Sequence, residues 1–249
     1  MIGVTVSDWA AWAPGLEDRA AWLDWAKAPW SPHGDARPAL AEVPAMQRRR
    51  IDHVGRMAIQ AAWWCSQAEA QGVPLVFASR HGDVQRSCDL LEQLARGEAM
   101  SPMQFSLSVH NAVAALYSIV RGERGNYLAL AAGGATAEAA VVEAVGLLDD
   151  GAPEVLLVVY EAPMPAVHLE FMDEPDAAFA WSWRLRRDGE GVALSLAWQD
   201  AAFDASEGRA GTMPAALAAL QFLLGAAPAR VHCVDGVQWD WHRRVCATA

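Results

Sequence analysis

His110 is the first residue whose type and setting suggest chemistry. It stands in the run Ser-Val-His-Asn-Ala, with Asn111 beside it. An imidazole acts as a general base only with a nucleophile in reach. Ser106, Ser108 and Cys88 are near in sequence, yet none lies in a Gly-x-Ser-x-Gly elbow. A hydrogen-bonded structural role for His110 and Asn111 is the stronger reading, because buried polar groups are normally paired. Arg80, His81 and Asp83 form a second charged group. They follow an apolar strand, a placement that favours tying a loop over acting as a triad. Gly133 and Gly134 lie between a strand-like and a helix-like run. Backbone N–H groups there could cradle a phosphate. The stretch lacks the Gly-x-Gly-x-x-Gly spacing and a P-loop lysine, so a sharp strand-to-helix turn is the better account of the glycines. Cys65, Cys88, Cys233 and Cys246 form no Cys-x-x-Cys pair, which leaves no expected metal, cofactor or disulfide framework.

Composition narrows the classes. The formal net charge is −11. Nucleic-acid binding needs clustered Lys and Arg, so it is excluded as the main role. The one dense basic run, Arg48, Arg49 and Arg50, reads first as a solvated helix start. No apolar run reaches the roughly 18 residues of a membrane helix. The first residues carry no basic leader region, so a cytoplasmic protein is expected. Twelve tryptophans point to large buried aromatic contacts more than to a ligand cage.

The elements that must position these groups alternate. Residues 2–6 (IGVTV), 74–78 (PLVFA), 127–132 (YLALAA) and 155–160 (VLLVVY) read as strands. Residues 46–70, with Gly72 as C-cap, then 83–96, 108–120 and 136–150 read as helices. Prolines break the tryptophan-rich segment from Trp9 to Trp30 into short helical pieces and loops. This alternation predicts an α/β fold with a mainly parallel sheet covered on both faces. Beyond residue 165 the pattern predicts a hairpin, 180–186 and 192–198, around Asp-Gly-Glu-Gly, and one apolar helix over 213–224. The expected division is 1–165 as the main domain and 166–249 as a reduced portion packed on it.

Residues 101–126 read SPMQFSLSVHNAVAALYSIVRGERGN and lead into YLALAAGGAT. This stretch resembles the middle of the N-terminal half of a β-ketoacyl synthase. There a segment like P-x-x-I-x-N-x-x-A-x-x-x-S-I precedes R-G-x-x-x-x-x-A-x-A-C, whose cysteine carries the acyl chain. Aligned through Arg124 and Gly125, the nucleophile falls at Gly134, which has no side chain. With FASRHGD at 77–83, SPMQFSLSVHNA at 101–112 and WAPG at 12–15, the chain is similar to a short ketosynthase-like family. That family is the β-ketoacyl synthase chain-length factors of bacterial aryl polyene and xanthomonadin-type clusters. The resemblance implies a thiolase-like half, layered helix, sheet and helix, with a truncated second half. The family's C-terminal histidine motifs, H-G-T-G-T and N-S-x-x-F-G-G-x-N, have no counterpart here. Larger type II chain-length factors carry glutamine at the nucleophile position, so a glutamine-based role does not transfer to Gly134.

The function so implied is a non-catalytic subunit that pairs with an active ketosynthase as a heterodimer. It would shape the partner's acyl pocket and meet the acyl carrier protein only indirectly. The resemblance places the interface on Tyr127, Leu128, Ala129, Leu130 and Ala131. The residues setting chain length would be Met103, Phe105 and Leu107, with Leu116 and Tyr117 on the following helix. Two other readings stay open. One is a self-standing acyl hydrolase or acyltransferase using His110 or a cysteine. The other is a homodimeric scaffold.

Overall fold

The computed structural model describes residues 1–66, 72–201 and 212–244. The chain runs β1 (Ile2–Trp12), α1 (Arg19–Trp25), α2 (Ala45–Arg48), α3 (His53–Cys65), β2 (Leu75–Ala78), α4 (Val84–Ala95), α5 (Pro102–Ser106) and α6 (Ala112–Arg121). It continues through β3 (Tyr127–Leu130), α7 (Thr136–Asp149), β4 (Val155–Glu161), β5 (Phe179–Arg186), β6 (Val192–Asp200), α8 (Ala215–Leu224), β7 (Ala229–Val234) and β8 (Val237–Arg243). All eight strands join one sheet in the order β3-β2-β4-β5-β1-β6-β8-β7.

The layers follow from two apolar faces. Strands β4 and β5 are buried along almost their whole length, as residues covered on both sides must be. On one face α3 and α6 enclose Met57, Ile59, Phe77, Tyr117 and Tyr160. On the other, α1, α7 and α8 enclose Trp22, Val141, Trp181, Trp183 and Trp241. The buried indoles find partners where they can: Trp22 donates to the Leu16 carbonyl and Trp181 to that of Ala216. The fold is thus mixed α/β, helix on sheet on helix, the layering that the resemblance implied.

Several expectations are corrected. The sheet is not mainly parallel: only β3–β2 and β2–β4 run parallel, and β5, β1, β6, β8 and β7 add antiparallel. A continuous apolar run records burial on both faces, and here antiparallel strands are buried that way too. Strand β1 extends to Trp12 rather than ending at Val6. Residues 10–13 keep the period of two, with Ala10 and Trp12 in one core and Ala11 and Ala13 in the other. The expected helix over 46–70 is two helices, because the Asp52 carboxylate accepts from Gly55 N–H at 2.9 Å and starts α3 afresh. Residues 67–70 of that expectation lie outside the described residues, and Gly72 does not cap α3, which ends at Cys65. The helix expected over 108–120 starts only at Ala112, as α6, with a turn over 107–111 that separates it from the short α5. The Ser106 and Ser108 hydroxyls bond back to the Met103 and Phe105 carbonyls, which competes with helix continuation.

The region after residue 165 holds more sheet than its pattern suggested. The strands expected over 180–186 and 192–198 are β5 and β6, but they form no hairpin: β1 pairs between them, and the Asp188–Gly191 link crosses over it. The expected helix is α8, and the hairpin of this region is β7–β8. Its turn is Asp235-Gly236, both at positive φ, the geometry a two-residue hairpin loop needs. Among the described residues no helix is long and apolar enough to cross a membrane.

Candidate functional site

The C-terminal ends of the parallel strands β3, β2 and β4 converge on the turn Gly133–Ala135, which leads into α7. Thr136 fastens this turn: its hydroxyl accepts from Ala132 N–H at 3.1 Å and donates to the Gly133 carbonyl at 2.7 Å. Gly133 sits at φ +52, and Gly134 is buried. A Cβ placed on Gly134 would lie 2.8 Å from Val234 Cγ2 and 3.1 Å from Glu174 Oε1. The space a nucleophilic side chain would need is therefore filled by β7 and by a carboxylate.

That carboxylate belongs to a buried charge network. Glu174 accepts from Arg80 Nη1 at 2.7 Å and from Ala215 N–H, at the start of α8, at 3.3 Å. Arg80 also pairs with Asp173. At the end of β4, Glu161 accepts from the Arg80 N–H and from the Ser79 hydroxyl. Burial pushes Glu161 up to about 8, so it keeps its proton at neutral pH, and burial raises Glu174 as well. Glu138, on the first turn of α7, is fully enclosed. Burial favours its neutral form, but His232, Arg230 and the Trp241 indole together hold it below the usual carboxylate range. These contacts lock the β7–β8 hairpin over the turn. Beside them Glu174, Arg230 and His232 line a cavity of about 280 Å³ with Met213 and Ala218.

The sequence-predicted residues do not converge. Arg80 faces Glu174, and His81 lies at the rim of the pocket beside it. Asp83 points elsewhere: it caps α4 and pairs with Arg86. His110 donates from Nε2 to the Ser79 carbonyl at 2.8 Å, with its ring against Gly82. Asn111 stands at the N-cap of α6 without a side-chain capping bond. Met103 and Leu107 line a surface cleft of about 630 Å³ together with Arg49, Arg50 and Arg56. Phe105 is 62% exposed, Leu116 is half-buried, and Tyr117 is in the core against Phe77. Strand β3 is the edge of the sheet, with Tyr127, Ala129 and Ala131 exposed and Leu128 and Leu130 packed toward α7.

Glu138, Glu161, Glu174 and Val234 were not singled out from the sequence. The Asp-Gly pair between two apolar alternating runs was the available signal for the hairpin that brings Val234 and His232 to the turn.

The model of the β-ketoacyl synthase N-terminal domain matches residues 22–242. The chain belongs to the β-ketoacyl synthase N-terminal domain family. The match runs through β8, past the first two thirds where the motifs lie. A chain of the ketosynthase ApeO in complex with its chain length factor ApeC, from Xenorhabdus doucetiae, superposes at a TM-score of 0.84 with 26% identity. That similarity covers 98% of this chain and 100% of the other. A β-ketoacyl synthase from Burkholderia phymatum STM815 (TM-score 0.62, 14% identity, 80% of this chain and 65% of that one) shares the fold. So does the ishigamide ketosynthase/chain length factor (TM-score 0.62, 16% identity, 80% and 68%). The similarity thus spans about two thirds of the length of these last two. No curated protein matches the sequence.

Proposed function

We propose that this chain is a non-catalytic chain-length-factor subunit that pairs with an active β-ketoacyl–carrier-protein synthase and shapes its acyl pocket in polyene or polyketide assembly. The observation that carries the reading is the turn after β3. By the sequence match through Arg124 and Gly125, Gly134 takes the place of the family's nucleophile, and Val234 and Glu174 fill the space beside it. A ketosynthase with that position closed cannot take up an acyl group there. The similarity to a chain of a ketosynthase–chain length factor complex supports the same reading. An open sheet edge at β3 leaves backbone groups for a partner strand, as a paired subunit would need.

Incubated alone with an acyl-carrier thioester, the chain is expected to gain no covalent adduct and to release no product, as read by intact-mass spectrometry. Co-expressed with its ketosynthase, it is expected to run as a stable one-to-one complex. A homodimer that ignores the ketosynthase would return the scaffold reading.

Gly134→Cys is expected not to restore turnover. The new side chain meets Val234 and Glu174, and overpacking of that kind costs about 1–3 kcal/mol. A thermal melt lowered by several degrees, with no acyl adduct, is the expected pair of results. A Gly134→Cys chain that becomes acylated at the new thiol and condenses malonyl units would refute the closed-site argument.

One observation favours the hydrolase alternative: Cys88 Sγ lies 3.3 Å from His168 Nδ1. Burial, with Asp89 and Glu92 nearby, raises the Cys88 thiol and so disfavours the thiolate that would attack. Cys65 is a poorer candidate, buried and pushed up to about 12. Thioester hydrolysis by the purified chain, lost in Cys88→Ser, would select this alternative.

A further inference from the structure

We propose that Arg86 is a positioning residue that fixes α5, and with it Met103 and Phe105, by holding the side chain of Gln104. The proposal rests on the chain-length reading and adds to it the group that sets where the wall stands.

Helix α5 has little to hold it. Met103 is 47% exposed and Phe105 62%, so its two largest apolar side chains do not anchor it in the core. Its other hydrogen bonds are local. Ser101 caps it, Phe105 N–H reaches the Ser101 carbonyl, and the Ser106 and Ser108 hydroxyls return to its own carbonyls. Among the described residues, the only hydrogen bond from 101–108 to the rest of the protein runs from Arg86 Nη1 to the Gln104 side-chain oxygen.

The guanidinium that makes this bond is itself fixed from two directions. Its Nε donates to Asp83 Oδ2 at 2.7 Å, and its Nη2 pairs with Asp52. Both carboxylates are helix N-caps. Asp83 accepts from Arg86 N–H at 3.1 Å and starts α4, while Asp52 starts α3, which packs on β1, β4 and β5. A fork held by two carboxylates in different helices has almost no rotational freedom left. The chain of contact therefore runs from the sheet through α3 and its cap, through Arg86, to Gln104. Side chains three and four positions apart share a helix face. Met103 and Leu107 are so spaced and both line the cleft beside this clamp. The groups facing Arg86 are Asp52 from the α3 cap, Asp83 from the α4 cap and Gln104 from α5.

Arg86 itself is a poor variant for the test, because its loss strands Asp52 and Asp83 without their cation and can unfold the chain. Gln104 can be changed without touching that pair. The experiment uses the chain in complex with its ketosynthase and reads two quantities, amide exchange of residues 102–107 and product length by mass spectrometry. Gln104→Leu is expected to speed exchange at Phe105 and Leu107 by roughly tenfold or more, since local opening no longer breaks a tertiary bond. It is also expected to broaden the product distribution. Gln104→Glu offers Arg86 a carboxylate in the same place and is expected to keep both at the parent values. Phe105→Ala serves as the control for the reading beneath. If Gln104→Leu changes neither exchange nor product length, the clamp is refuted. If Phe105→Ala shifts the products and Gln104→Leu only loosens α5, the wall stands without Arg86 and the proposal fails alone. If exchange rises while neither variant alters the products, the chain-length reading has failed and takes the positioning role with it.

Discussion

Ala129→Pro is expected to release the chain from its ketosynthase while leaving it folded, whereas Leu128→Pro is expected to damage the fold. The difference comes from which way the backbone of β3 faces. Leu75 N–H donates to the Asn126 carbonyl and Ser79 N–H to the Leu130 carbonyl. Even-numbered residues of the strand therefore turn their N–H and C=O toward β2, and Tyr127, Ala129 and Ala131 turn theirs to the open edge. Proline at 129 removes an outward donor and places a ring where a partner strand would pack. A hydrogen bond left unmade in a buried interface costs about 1–3 kcal/mol, roughly a ten- to hundredfold loss of affinity. Proline at 128 or 130 removes a donor to β2 instead, which loosens the edge strand from its own sheet. Analytical ultracentrifugation with circular dichroism separates the two. Full partner affinity in a folded Ala129→Pro chain would move the interface away from β3.

Elements with strong local signals were legible. Val155 to Tyr160 is a continuous apolar run and forms the buried strand β4, whereas Asp188-Gly189-Glu190-Gly191 marks a turn between two real strands but not their pairing, because β1 enters between β5 and β6 from far away in sequence. Strand β1 beyond Val6 was not legible, because its alanines carry little β preference and Pro14 follows closely. Its period of two became decisive only with a core on each face. The turn at Gly134 could be found by spacing from Arg124 and Gly125. What surrounds it could not. Glu161, Glu174 and Val234 come from three segments that only the sheet order brings together, and no local pattern marks a carboxylate for burial. His110 shows the opposite case: its residue type invited a catalytic role, while its hydrogen bond to the Ser79 carbonyl ties two loops.

Phe105→Ala is expected to lengthen the products of the reconstituted pair by one or more two-carbon units, with little loss of the first condensation. Phe105 lies on α5 with its ring 62% exposed in the isolated chain, an unusual placement for a large aromatic group. Folding gains little from leaving it there, so its truncation is not expected to carry the roughly 3–5 kcal/mol penalty of an emptied core site. A change in product length would then report the pocket and not a weakened fold. Rigid aromatic walls set depth because the next two-carbon unit would overpack against them. Met103 is equally available on the same helix, and its flexible side chain should yield more readily, so Met103→Ala is expected to shift length less. Leu107 and Leu116 are half-buried, and smaller shifts are expected there. Tyr117 is different: its ring is in the core against Phe77 and Trp63, and its hydroxyl meets Ser66. Tyr117→Ala should lower stability by about 3–5 kcal/mol without a specific effect on length. Unchanged products from all five truncations, in complexes shown to be intact, would leave a subunit that stabilises its partner and does not measure the chain.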